Sequence, residues 1–209
     1  MKKIFENIIK NALTKEDLKN LKYDENILMQ KISFSKREIY LTKITPEEAD
    51  RIEKLIRFWN DFDEIYFTTG EERKPIKIFI NCSDGGSLLS TFEIIDAIKM
   101  SKTPVHTINI GAVYREALYI YISGFRRYAF PHSSFLFKKY IIKEDESQQS
   151  NYFHFCKKQD QSLKEILLEK TKISETEYEK KEEWWIDTEK AYELKICNDI
   201  VRGRDSNHF

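Results

Sequence analysis

The sequence predicts one α/β domain, and three features of its patterning lead there. Short β-prone apolar runs, Lys77–Cys82, Val105–Ile110 and Phe135–Ile142, alternate with stretches whose apolar residues recur at helical spacing. Turn chemistry separates them, above all at Ser83-Asp84-Gly85-Gly86. With 209 residues, 41% of them apolar and 33% charged, the chain can bury one core, which excludes a disordered chain.

Residues 1–36 read as a helical and irregular extension. Ile4, Phe5, Ile8, Ile9 and Ala12 recur at helical spacing, and a charged, irregular stretch follows from Lys15 to Asn26. The domain proper spans 37–202 and leaves a tail over 203–209. Arg37–Leu41 is a short strand. Thr45-Pro46-Glu47-Glu48 then supplies an N-cap, a proline at the first helical position and a capping-box glutamate. The helix that starts there turns Ala49, Ile52, Leu55, Ile56 and Trp59 inward. After the Lys77–Cys82 strand and its turn, Leu88–Met100 is helical through Phe92, Ile95 and Ile98. Tyr114–Ile122 reads as a buried helix behind the Val105–Ile110 strand. A long helix runs over Asn151–Lys170, with Phe153, Phe155, Leu163, Ile166 and Leu167 as apolar positions; either a second protein surface or the chain's own core would accept them. Ser174 with Glu177 opens a further helix by a second capping box.

Composition also narrows the function. Lys+Arg and Asp+Glu both number 35, so there is no net charge to draw the chain onto nucleic acid or anionic lipid. Cys82, Cys156 and Cys197 stand far apart without C-x-x-C spacing, against a disulfide framework or a structural zinc, and a reducing compartment is expected: cytoplasm, or an organelle stroma. Glu6 and Asn7 interrupt the first apolar stretch before it reaches the length of an export signal. Arg115 and Glu116 break the longest apolar region, Pro104–Phe125, so no membrane segment is expected. No metal or cofactor is expected either.

Two segments carry chemistry. In Asn81-Cys82-Ser83-Asp84-Gly85-Gly86-Ser87, paired glycines between a buried strand and a helix let backbone N–H groups approach an anion or an oxyanion. The same turn also serves as a plain strand-to-helix connection, which is the commoner use. In Ile108–Leu118, Arg115 and Glu116 sit side by side in an otherwise buried run, and buried charges demand partners.

The order of these features resembles the ClpP family, the proteolytic subunits of Clp proteases. The resemblance runs from about Arg37 to Arg202 through Gly85-Gly86-Ser87, Gly111, Arg127-Tyr128-Ala129-Phe130-Pro131-His132-Ser133 and Ala191-Tyr192-Glu193-Leu194-Lys195-Ile196-Cys197-Asn198. It implies a ClpP/crotonase-like spiral of repeated β-β-α units with a long handle helix. It further implies self-association into heptameric rings stacked in pairs, an active ClpP paralogue as ring partner, and contact with a hexameric Clp ATPase.

Matched residue by residue, the resemblance places Arg115 where the family has its nucleophilic serine, Lys138 at the histidine, and Glu183, or its neighbour Glu182, at the aspartate. Oxyanion-hole donors would be the backbone N–H of Gly85 or Gly86 and that of Glu116. A serine peptidase needs a hydroxyl nucleophile, a base titrating near neutrality and a carboxylate to orient it. A guanidinium cannot attack a carbonyl, and lysine becomes a base only after strong desolvation. A catalytically inactive subunit, a pseudo-peptidase with a structural or regulatory role, is therefore expected. Arg115 is expected to pair with Glu183 as an internal ion bridge, and the Tyr114 ring to fill the peptide groove. Two alternatives stand beside this reading. One is a crotonase-like protein holding a thioester or other anion on the Gly85-Gly86 turn, with Arg115 and Lys138 as further donors. The other is a peptidase with relocated catalysis at Ser87, Ser123, Ser133, Ser134 or Cys82.

Overall fold

A computed structural model describes residues 25–66, 73–139 and 151–203. The expected stripe from Ile4 to Ala12, residues 140–142 of the strand expected over Phe135–Ile142, the Phe153 side chain and residues 204–209 of the tail lie outside them.

The described chain begins with α1 (Glu25–Ser35), β1 (Glu38–Leu41), α2 (Pro46–Tyr66) and β2 (Ile76–Cys82). It continues through α3 (Leu88–Met100), β3 (Val105–Tyr114), α4 (Glu116–Ile122), β4 (Arg126–Ala129) and β5 (Ser134–Lys138). The last elements are α5 (Asn151–Lys170), α6 (Glu175–Lys180), β6 (Glu183–Asp187), α7 (Thr188–Glu193) and β7 (Asp199–Ile200). Local sequence chemistry accounts for the helix starts. The Glu48 N–H donates to the Thr45 hydroxyl, Ser87 accepts from the Ser90 N–H, and Ser174 with Glu177 closes a reciprocal capping box.

The strands join one sheet in the order β1-β2-β3-β4-β7, all parallel, with β5 parallel to β3 and β6 antiparallel to β5. This is the mixed α/β architecture the alternating pattern predicts. The larger boundary differences are three: β3 runs four residues further, to Tyr114, the following helix begins at Glu116, and β5 ends at Lys138, short of the Ile142 expected. Tyr114 is thus a strand residue, held in register beside Leu136 of β5.

The core lies between the sheet and its helices. Ile78 and Ile80 of β2, Ile52 of α2, Ile94 of α3 and Leu118 of α4 are fully buried, each worth about 1.5–3 kcal/mol of transfer free energy. Leu163 and Leu167 of α5 are equally buried and Ile166 nearly so, which assigns these three to the chain's own core; Phe155 stays exposed. At the start of the domain, the Arg37 guanidinium forms a two-pronged bond to Asp63, at 2.6 and 2.8 Å, and lies over the Trp59 ring. That pair is buried, and the Thr103 hydroxyl supplies a third bond to the same carboxylate.

On β3, His106 stands in register between Lys77 of β2 and Arg126 of β4, beside the rings of Phe125 and Tyr128. Its Nδ1 is buried and has no hydrogen-bond partner among the described residues. Desolvation, with Arg126 and then Lys77 as lesser causes, lowers its pKa to about 4. An unfolded chain protonates histidine below about 6.5, so it binds the extra proton between the two values and the fold loses stability as pH falls through that window. We expect the unfolding free energy of the wild type from urea titrations to drop between about pH 6.5 and 4, by on the order of 2 kcal/mol, and this slope to flatten in His106→Phe. An equal slope in both proteins would show that other groups carry it.

Candidate functional site

β2 and β3 are parallel neighbours, so their carboxyl ends open together, and each leads into a helix. The register between them shifts after Ile80, and Asn81 fills the irregularity: its Oδ1 accepts the Ala112 N–H at 3.1 Å. Asn109, fully buried, does the same on the other side. Its Oδ1 accepts from the Gly111 N–H at 3.0 Å and its Nδ2 donates to the Ser134 carbonyl at 2.9 Å. These asparagines hold β3 where it leaves β4 and takes up β5.

The strand then ends in a sharp turn. Arg115 has φ 56° and ψ −119°, a conformation costing a non-glycine residue about 1–3 kcal/mol, and its N–H is held by the Leu136 carbonyl at 2.8 Å. The backbone there is that of an elbow that lifts one side chain clear: the Arg115 side chain is 46% exposed, while the next, Glu116, is 2% exposed.

Facing this elbow is the paired-glycine turn. Gly85 adopts φ +70°, and a Cβ placed on it would lie 1.9 Å from Oε2 of Glu116. A Cβ on Gly86 would lie 2.3 Å from the Ile44 carbonyl oxygen. Only glycines admit both neighbours. The Gly86 N–H donates to Glu116 Oε2 at 3.0 Å. Thus one of the amides expected to serve an external anion is taken by a carboxylate of the chain itself.

The remaining candidates gather on β5 and β6. Antiparallel register sets Lys138 opposite Glu183, and the ammonium donates to the carboxylate at 2.8 Å. This corrects the expected Arg115–Glu183 bridge. Strand register delivers Lys138 to Glu183, whereas the Arg115 Nε lies 3.8 Å from Glu116 Oε2. Nor is the Glu183 pair internal, since its side chains are 43% and 42% exposed. Hydrogen bonds from Lys138 and from the Trp185 indole hold the Glu183 carboxyl below its ordinary range. Glu182, the neighbouring alternative, contributes its carbonyl to the Lys139 N–H.

Trp185, which carried no signal in sequence, ties the parts together. Its indole N–H donates to Glu183 at 2.9 Å, and its ring meets Tyr114 edge-on at 5.1 Å between centroids. The Tyr114 hydroxyl lies 2.8 Å from the Ser134 hydroxyl. The other hydroxyls near the site are engaged as well: Ser87 caps α3, Ser123 donates to Tyr119 and Ser133 to Phe130. Cys82 is fully buried, and desolvation raises its pKa. Among the described residues, no three His, Cys, Asp or Glu side chains gather as metal ligands, and no helix is long and apolar enough to cross a membrane.

The chain that carries this turn is matched by known proteins. The Clp protease family matches residues 34–204. The chain belongs to that family. It is 25% identical over 197 residues to ATP-dependent Clp protease proteolytic subunit 2 of Treponema denticola, which covers 91% of this chain and 94% of the relative. A proteolytic subunit from Pleurastrum terricola is 40% identical over 107 residues, covering 42% of this chain and 54% of that protein. Among solved structures, a ClpP1 point mutant from Listeria monocytogenes superposes with a TM-score of 0.70 over 85% of this chain and 98% of its own, at 22% identity. That likeness fixes the fold as ClpP-like.

The buried asparagine is the test of how the elbow is held. Asn109→Leu would leave the Gly111 N–H and the Ser134 carbonyl without their bonds, and we expect a loss of about 2–3 kcal/mol in urea denaturation. Lys138→Ala, which breaks only an exposed pair, should leave the midpoint nearly unchanged. The reverse ranking would mean that the surface pair, rather than Asn109, secures this end of the sheet.

Proposed function

We propose that this chain is a Clp-family subunit without peptidase chemistry, serving a structural or regulatory role in a ring-shaped Clp protease complex. One observation carries the reading: the residue at the positive-φ elbow is Arg115, the position that the sequence resemblance alone matches to the family's nucleophilic serine. A guanidinium holds its protons and offers no oxygen or sulfur to attack a carbonyl. The positions read as base and orienting carboxylate, Lys138 and Glu183, are bonded to each other at the surface. The relocated-catalysis alternative is weakened by the engagement of Ser87, Ser123, Ser133 and Ser134 and by the burial of Cys82.

The relatives are named as proteolytic subunits of an ATP-dependent protease, which supports the assembly side of the proposal. On this reading the domain over 37–202 joins heptameric rings, alone or mixed with an active ClpP paralogue, and such rings dock a hexameric Clp ATPase. Residues 1–36 would be an extension of that domain, and the cytoplasm or an organelle stroma its place of work.

Purified full-length protein should release no fluorophore from short fluorogenic peptides above buffer, and fluorophosphonate probes should leave it unlabelled. Labelling or turnover abolished by Ser87→Ala or Cys82→Ala would overturn the inactive reading. Light scattering of the chain, alone and mixed with an active ClpP, should give a species of ring mass. A persistent monomer under both conditions would count against the structural role.

A further inference from the structure

Within the elbow, one charged group has no part in the reading above. Glu116 is 2% exposed, and its carboxylate reaches across from the start of α4 to the paired-glycine turn. Its Oε2 accepts the Gly86 N–H at 3.0 Å, and it occupies the space into which a side chain on Gly85 would project. Arg115 approaches the same oxygen at 3.8 Å, a long ion pair from a half-exposed guanidinium. A buried carboxylate is tolerated only where donors face it, and here a backbone N–H is one of them.

We infer that Glu116 is an internal anion: its carboxylate occupies the Gly86 amide that a peptide carbonyl or carboxylate would otherwise take, so its removal creates a site for peptide carboxylates. The inference deepens the inactive-subunit reading and rests on it for the identity of the turn. It adds a second lock to the first. Arg115 removes the nucleophile, and Glu116 denies a substrate oxygen one of its donors. Restoring a serine at position 115 alone would therefore leave the turn filled. An anionic ligand entering beside Glu116 would meet like charge as well as a used donor. With the carboxylate gone, the Gly86 N–H and the neighbouring Arg115 guanidinium both face the vacated space.

The test uses the full-length chain with Glu116→Ala and Glu116→Gln. Each protein is titrated by calorimetry with an acetylated hexapeptide ending in a free carboxylate, and exchange at the Gly86 amide is followed by fragmentation mass spectrometry. In Glu116→Ala, Gly86 should exchange at least about tenfold faster than in the wild type. The peptide should restore its protection and bind at least about tenfold tighter than to the wild type. Glu116→Gln, which keeps the volume and a weaker acceptor, should fall between. The inference is overturned if Gly86 exchanges equally slowly with alanine at 116 and no peptide present, or if the peptide protects Gly86 as strongly in the wild type. Should global exchange show Glu116→Ala unfolded, Glu116→Gln decides: faster exchange at Gly86 with Ser87 unchanged supports the inference, and an unchanged Gly86 refutes it. Peptide turnover by the wild type would remove the inactive-subunit reading, whereas the Gly86 exchange rates would still decide the place of Glu116.

Discussion

One strand is shared by three others, and the arrangement of the site depends on it. β3 pairs with β2 along most of its length, with β4 through His106 to Asn109, and with β5 through Ala112 to Tyr114. A ladder can change partners part-way only if the backbone groups left over at the change are satisfied. Asn81 and Asn109 meet that requirement, and Gly111 leaves room for the first: a Cβ there would lie 2.6 Å from the Asn81 Oδ1. Because the change occurs just before the strand ends, Arg115 emerges beside β5 and opposite the glycine turn of β2. Lys138 and Glu183 follow from the same pairing, two residues further along β5 and β6.

The candidate site is consequently a well-formed scaffold whose polar side chains are largely paired within the chain. Its backbone retains a positive-φ elbow and a paired-glycine turn whose tight contacts exclude other residues. Its side chains are arranged among themselves: Gly86 to Glu116, Lys138 to Glu183, Trp185 to Glu183 and Tyr114 to Ser134. Groups that a hydrolase would keep available for substrate are here bonded within the chain. It is also on this pairing that the structural role proposed above rests, since rings are built from surfaces and do not require a reactive centre.

Elsewhere, residues of the recognisable motif do structural work. Arg127 is buried, and its guanidinium donates to the carbonyls of Ile196 and Lys195 at 2.8 and 2.9 Å, closing the C-terminal turn onto β4. The Arg37–Asp63 pair plays a comparable part at the other end, tying the entry to β1 to helix α2. Both are long-range contacts of arginine with fixed acceptors, a use for which its planar fork is suited.

The sequence alone determined what local chemistry controls. The helices beginning at Pro46, Leu88 and Asn151 and the Ser174 capping box stand where caps and apolar spacing put them. The paired glycines and the Arg115–Glu116 step announced the candidate site, because a turn that needs positive φ and charges inside an apolar run are visible in the sequence, although only Glu116 of the two proves buried. Strands β4, β6 and β7 were not legible as strands: Arg-Arg-Tyr-Ala and Glu-Trp-Trp-Ile-Asp lack a clean alternation, and Asp199–Ile200 is too short to show one. What only the tertiary structure decided is who pairs with whom. Glu183 goes to Lys138 because antiparallel register sets them face to face, and Glu116 goes to Gly86 because two strand ends meet. Neither pairing is encoded by neighbours in sequence, since 45 and 30 residues separate the partners and the sheet alone closes those distances.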